Sequence, residues 1–270
     1  MTFSICAFDP TTTELGIAVQ SKFLAVGAVV PWARSGVGAI ATQSFANTSY
    51  GPEGLRLLAE GIGCEEVVAR LIADDPDREK RQLGIVDAAG RAATYTGKEC
   101  FEWAGGVVGA RYCAQGNILA GPRVVQGMAE AFERADGTLA GRLVAALQGG
   151  QRFGGDRRGM QSAALLVVKE KGGYGGFNDR YIDLHVEDHA RPIDELERLL
   201  ALYKLYFKIE PARMRPLDAS LRRELEDIVA RSGAPSLRAL FGIENLEERW
   251  TDGPEIDEAA LAFLRTRFRA

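Results

Sequence analysis

The strongest β-patterns in this sequence are apolar on nearly every residue rather than on every second one. FSICAF (3–8), ELGIAVQS (14–21), AVGAVVPW (25–32), VGAIATQSF (37–45) and SAALLVVK (162–169) all read this way. A strand with one wet face alternates, so uninterrupted apolar strands must be covered on both faces. The first two flank the turn DPTTT and form a hairpin. Apolar residues at helical spacing then mark GPEGLRLLAEGI (51–62) and CEEVVARLIADD (64–75), the second stopped at Pro76. QLGIVDAAGRAATYTG is a strand–turn–strand, and a shorter pair lies near VVGARYCAQG. Helices follow at PRVVQGMAEAFERA and TLAGRLVAALQGG, and RYIDLHVED closes the strand set. Two helix pairs interrupting largely antiparallel strands predict an α+β fold of four layers, helix on sheet on sheet on helix.

Bulk composition narrows the function classes. The chain has 270 residues and a net charge of −4, with arginines spread along its length and no continuous basic footprint. That argues against a nucleic-acid partner. The best apolar stretch, LAVGAVVPWA, is too short to span a bilayer, and the N-terminus carries no export signal, so a cytoplasmic protein with no membrane partner is expected. Four widely separated cysteines read as reduced, buried thiols. No cofactor is expected. From Pro192 the composition changes: PIDELERLLALYKLYF is an amphipathic helix, KIEPARMRP a linker, and the residues after Leu217 read as helical and charged. The expected domains are 1–208 and 209–270, the second small and all-helical. Tyr203, Tyr206 and Phe207 beside Leu199 and Leu202 give that helix more aromatic surface than one face needs, which predicts a homodimer.

Polar residues that no core requires cluster at strand ends. Thr2 follows an initiator Met1 that ordinary processing removes before a small residue. Its hydroxyl would then lie beside its own α-amine, a nucleophile and base in one residue. Gln43, Ser44, Asn47, Thr48 and Ser49 crowd a loop that leads into a helix N-terminus, where free N–H groups can hold an oxyanion or merely be capped. Asp156, between glycines and Arg157–Arg158, precedes Gln161 and Ser162; it can orient a base or form a structural ion pair. Asn117, in QGNILAG, is a candidate polar-ligand contact, whereas its glycines lack phosphate-loop spacing. His185 and His189 flank Glu187 and Asp188 on a strand end, without the helical spacing of a zinc pair. Lys22 ends the hairpin. If Phe8 faces Gly16, Lys22 stands opposite Thr2; if Phe8 faces Leu15, the two diverge. Thr2, Lys22, Gln43, Asn47, Asn117, Asp156 and Gln161 are expected to line one cleft.

These stretches resemble a known family. MTFSICAFDP, GIAVQSKFLAVGAVVPWARSGVGAIATQSFAN, QLGIVDAAG, QGNILAG, GGDRRGMQSAALLVV and GGYGGFNDRYIDL are similar to a bacterial family catalogued as domain of unknown function 1028, whose fold is that of N-terminal nucleophile (Ntn) hydrolases. The resemblance spans residues 1 to about 208 and implies a four-layer αββα sandwich. It implies Thr2 as nucleophile, Lys22 as the nearby cation, and backbone N–H groups of residues 43–51 as the oxyanion site, with Ser4 as fallback nucleophile. Gln43, Ser44, Asn47, Asn117, Asp156, Gln161 and Ser162 become candidate substrate contacts. The implied activity is hydrolysis of an amide in a small or peptide-like substrate; the alternative is a catalytically silent ligand-binding protein on the same fold. LRRELEDIVARSG through FGIENLEERWTDGPEIDEAALAFLR resembles a small helical module labelled as peptidoglycan-binding.

Overall fold

A computed structural model describes residues 2–207, 209 and 211–269. Its chain divides into two compact units, residues 1–197 and 198–270. Residue 208, where the first domain is expected to end, lies outside the described residues.

The first unit begins with the hairpin β1 (Thr2–Asp9) and β2 (Glu14–Ser21). The connecting turn is held by the Asp9 carboxylate, which accepts from the Thr11 N–H at 2.9 Å. Strands β3 (Pro31–Arg34) and β4 (Gly38–Ser44) follow, then helices α1 (Tyr50–Ala59) and α2 (Cys64–Ala73). Next come β5 (Arg81–Asp87), β6 (Ala92–Thr96), β7 (Gly105–Gly109) and β8 (Tyr112–Asn117). Helices α3 (Arg123–Arg134) and α4 (Leu139–Arg152) precede β9 (Ser162–Val168) and β10 (Arg180–Val186). The strands form two antiparallel sheets, β10-β9-β2-β1-β8-β7 and β3-β4-β5-β6.

Double-sided burial explains the unbroken apolar strands. Toward the second sheet, Cys6, Ile17, Val19, Cys113, Ala164 and Leu166 pack with Ala39, Ala41 and Val86. Toward the helices, Gly16 lies against Leu139 and Leu143 of α4, and a methyl group added there would meet Leu143 at 2.6 Å. Helices α1 and α2 cover the other sheet through Leu55, Leu58, Val67 and Leu71 against Ile40, Leu83 and Ile85. Glycines let α3 and α4 touch backbone to backbone: a Cβ on Gly149 would sit 2.4 Å from the Gly127 carbonyl.

Two expectations need correction. AVGAVVPW is not one strand: a helical turn occupies Val26–Ala28, and only Pro31–Arg34 extends. Ala25 adopts a left-handed conformation (φ 54°), and the Val26 N–H is captured by Ser162 Oγ at 3.1 Å, so tertiary bonding overrides the apolar pattern. The C-terminal unit is not all-helical either. Besides α6 (Ala219–Ser232), α7 (Leu237–Ile243) and α8 (Glu258–Arg267), it contains the ribbon β11 (Met214–Pro216) with β12 (Glu255–Asp257). Three-residue strands leave too short a pattern to read.

Helix α5 (Pro192–Tyr206) runs across the division between units. In the small unit, Leu205 and Tyr206 join a core of Leu221, Leu225, Leu240, Phe241, Ile256 and Leu261. Arg249, 5 % exposed, pairs with Asp257 at 2.9 Å and also donates to the carbonyls of Lys204 and Leu205. Asp257 in turn caps α8 by accepting from the Ala259 and Ala260 N–H groups. No described helix is long and apolar enough to cross a membrane.

Candidate functional site

The hairpin register decides the surroundings of Thr2. Phe8 pairs with Leu15, so Thr2 stands opposite Ser21 on one side and Asn117 on the other. Thr2 Oγ1 and Ser21 Oγ are 3.0 Å apart. Lys22 is therefore not the cross-strand partner of Thr2. It comes one residue later, and its Nζ donates to the Met160 carbonyl at 3.4 Å.

Beneath Thr2 the facing sheets enclose a network of amides and hydroxyls. Ser4 Oγ donates to Gln43 Oε1 at 2.7 Å and accepts from Gln115 Nε2 at 2.7 Å. Gln43 Nε2 donates to Gln82 Oε1 at 2.9 Å and reaches the Thr2 carbonyl at 3.5 Å. Asn117 Nδ2 donates to the same Gln82 oxygen at 2.9 Å. Gln82 Nε2 donates to Thr96 Oγ1 and to the carbonyls of Gly105 and Gly116. Each amide orientation is set by its neighbours, since turning one would bring oxygen against oxygen. Buried polar groups in such a closed circuit specify one arrangement of the two sheets and hold Thr2 rigidly.

Gln115 Oε1, buried in this circuit, has no hydrogen-bond partner. It lies against Gly84, where an added Cβ would fall 2.1 Å away and would have to displace the held Gln115 amide. Ser4 is fully enclosed and both directions of its hydroxyl are used, which fits a structural role better than that of fallback nucleophile.

The other expected residues divide. Gln161 is near the Thr2 end through its backbone, its N–H donating to the Ser21 carbonyl at 3.0 Å. Ser162 faces Ser21 in the register, but its hydroxyl donates to the Phe23 carbonyl and accepts from Val26, pinning the loop after β2. Asp156 clamps the same region: it accepts from the Lys22 N–H at 3.0 Å and pairs with Arg158 at 3.2 Å, the structural alternative of the two. Ser44 ends β4 with φ 71°.

Asn47 belongs elsewhere, a correction to the expected single cleft. Its Nδ2 donates to Asp75 at 3.1 Å, and its Oδ1 accepts from both the N–H and the hydroxyl of Ser49. Asp75 also receives Tyr50 Oη at 2.7 Å and Arg81 Nε at 2.9 Å. These donors, Arg81 foremost, hold the Asp75 carboxyl well below its usual range, while burial and Asp75 push the Tyr50 hydroxyl up. An open cavity of about 610 Å³ borders this cluster, lined by Glu53, Arg56 and Arg70 of α1 and α2 among others. The loop's N–H groups at Phe45, Tyr50 and Gly51 bond to backbone carbonyls, and that of Ser49 to the Asn47 side chain, so these four are already spent.

His185 has carboxylates on both ring nitrogens, Asp183 at 2.8 Å and Glu187 at 3.3 Å, which raise its pKa. His189 Nδ1 accepts from the Arg191 N–H. Among the described residues, no three or more His, Cys, Asp or Glu side chains group as metal ligands do.

Sequence reasoning missed Ser21, Gln82 and Gln115. The signal was present: VQS, RQL and AQG each place a glutamine in an apolar strand, as TQS does.

Comparison with known proteins agrees with this architecture, a mixed α+β protein with antiparallel sheets and eight α-helices among the described residues. Residues 2–196 match the model of a family of unknown function, DUF1028. A crystal structure of a Silicibacter pomeroyi protein described as DUF1028 is 34 % identical, covering 75 % of this chain and 86 % of that one, with a TM-score of 0.69. The chain belongs to the DUF1028 family. Anbu, an ancestral β-subunit from Yersinia bercovieri, aligns over 79 % of this chain and 99 % of its own at 12 % identity and a TM-score of 0.34. No curated protein matches.

Proposed function

We propose that this chain is an Ntn-type amidohydrolase of four-layer αββα architecture acting on an amide of a small or peptide-like substrate. The observation that carries the reading is the placement of Thr2. It starts a central strand, with its hydroxyl against Ser21 and its carbonyl over a fixed amide network. In the proposed reaction Thr2 Oγ attacks the substrate carbonyl while the α-amine takes the hydroxyl proton. The same proton then passes to the departing amine, and water hydrolyses the acyl ester. Met1 lies outside the described residues; its removal is a requirement of the mechanism.

Two roles change with the geometry. Lys22, adjacent to Ser21 rather than opposite Thr2, acts as a longer-range cation favouring the neutral amine. With four amides of the 43–51 loop already bonded, Asn117 is the better oxyanion donor. Its Nδ2 has one recorded hydrogen bond, to Gln82, and Asn117 is the register partner of Thr2. The spent loop amides are also what favours the second reading, a ligand-binding protein that has the fold without the chemistry.

The further proposals are a cytoplasmic location, a peptidoglycan-fragment role for the C-terminal module, and a homodimer. For the dimer, Tyr206 packs within the small unit edge-on to Phe263, and Tyr203 and Phe207 pack on each other with ring centroids 4.5 Å apart. Light scattering of the purified chain checks that part; a monomeric mass removes it.

The function is tested with an activity-independent electrophile such as a β-lactone, followed by mass mapping. Modification at Thr2 of a chain lacking Met1 is expected. A retained Met1, or labelling elsewhere with Thr2 untouched, overturns the amidohydrolase reading in favour of the silent one.

A further inference from the structure

Two residues beside the site adopt a left-handed backbone that their side chains disfavour. Ser44 has φ 71° and the β-branched Ile118 has φ 50°. Such conformations are disfavoured for residues with a side chain and persist where the surroundings enforce them, often at functional sites. Ser44 directly follows Gln43, and Ile118 directly follows Asn117. Both kinks hold the same feature. Ser44 leads into Phe45, which is fixed through its N–H to the Lys80 carbonyl and through its own carbonyl to Arg81. The Ile118 N–H donates to the Phe101 carbonyl at 2.9 Å. The two rings stand 6.0 Å apart, yet Phe45 is 51 % and Phe101 59 % exposed. Single exposed apolar side chains are ordinary. A ring pair held at the surface by strained backbone, next to a buried polar network, is not.

Two cations also stand at this end. Lys22 and Arg157 have no carboxylate partner among the described residues. Lys22 Nζ donates to the Met160 carbonyl, and Arg157 Nη2 to the Glu102 carbonyl at 2.9 Å. The nearby Asp156 is taken by Arg158 and by the Lys22 N–H. Arg157 is tied to the same end, its N–H donating to the Ile118 carbonyl at 3.1 Å.

We infer that Phe45 and Phe101 form an apolar subsite at the Thr2 end and that Lys22 and Arg157 form its anion-binding counterpart. The ligand class is a small amide bearing an aromatic ring and a carboxylate. The inference rests on the amidohydrolase reading for the position of the scissile bond; binding itself does not depend on turnover.

The experiment uses the full chain carrying Thr2→Ala and three probes in titration calorimetry: N-acetylphenylalaninate, N-acetylalaninate and N-acetylphenylalaninamide. N-acetylphenylalaninate is expected to bind at least about tenfold more tightly than either of the others, each lacking one recognition element. Phe45→Ala and Phe101→Ala, both at exposed rings, should each erase most of the preference for the ring. The Lys22→Ala/Arg157→Ala pair should erase the preference for carboxylate over amide. Thermal melting of each variant shows that the fold is retained. Equal affinities for the three probes, no binding at about 10 mM, or preferences unchanged in the variants would overturn the subsite. Binding with these preferences but no cleavage by the processed wild-type chain counts against the amidohydrolase reading alone. Cleavage without ring or charge preference overturns the subsite alone.

Discussion

Replacing Ser4 by alanine should destabilise the first unit far more than replacing Thr2, although the two lie on one strand face two residues apart. Ser4 is fully buried, and its hydroxyl makes two side-chain hydrogen bonds of 2.7 Å. Its loss strands Gln43 Oε1, which cannot turn to another partner because Gln43 Nε2 is held by Gln82 and by the carbonyls of Thr2 and Gln115. Gln115 Nε2 keeps the Ser4 carbonyl at 3.3 Å, a partial substitute. One buried acceptor left bare costs about 1–3 kcal/mol, and the weakened donor adds roughly 1 more, so about 2–4 kcal/mol is expected. For a unit of this size that is a Tm decrease of roughly 4–16 °C. Thr2→Ala removes the single recorded hydroxyl contact, to Ser21, and should cost about 1 kcal/mol, or roughly 2–4 °C. Calorimetry of the two variants beside wild type decides the matter. A Ser4→Ala chain that melts with or above Thr2→Ala would refute the closed-network argument, showing that water or a rearranged amide replaces the hydroxyl at little cost.

Activity and stability should separate in the opposite sense. Once a substrate is found, Thr2→Ala is expected to abolish its hydrolysis, Thr2→Ser to retain part of the rate, and one residue added ahead of Thr2 to silence the enzyme by acylating its base; full activity of that extended chain would exclude the mechanism. His185 lowers the pKa of Asp183 and Asp183 raises that of His185, each chiefly through their mutual hydrogen bond. The histidine contribution is complete below about pH 6.5 and is lost as pH rises through its raised folded value, while the Asp183 contribution is lost in acid as pH falls through its lowered one. Wild type should therefore lose more Tm than His185→Gln between pH 5.5 and 8.5; parallel losses would contradict the linkage. In the small unit, Arg249→Ala leaves Asp257 buried without its partner and should cost about 3–5 kcal/mol. Trp250, edge-on to Phe241, reports that transition by fluorescence, and an unchanged midpoint would show the pair to be dispensable.

The burial of both sheet faces was legible in the sequence because it depends on a local property, the nearly continuous apolar run from Phe3 to Phe8 or from Ala163 to Val168. So were the four main helices of the first unit, whose apolar spacing and stops are local too. Thr2 could be singled out from its position, and Gln43 and Asn117 from their polarity at strand ends. What joins them is set by register. A one-residue shift between β1 and β2 exchanges Ser21 for Lys22 opposite Thr2, and both alternatives satisfy the same apolar pattern until the turn is closed. Asn47 and Thr2 likewise look equivalent in composition, yet one serves Asp75 and the helix entry while the other meets the glutamine network. Those partners lie 28 and 41 positions away in the chain. Burial propensity belongs to each side chain, whereas a hydrogen-bond partner belongs to the packing of two sheets. The sequence by itself therefore determined which segments had to be covered, and only the tertiary structure decided which polar atoms meet.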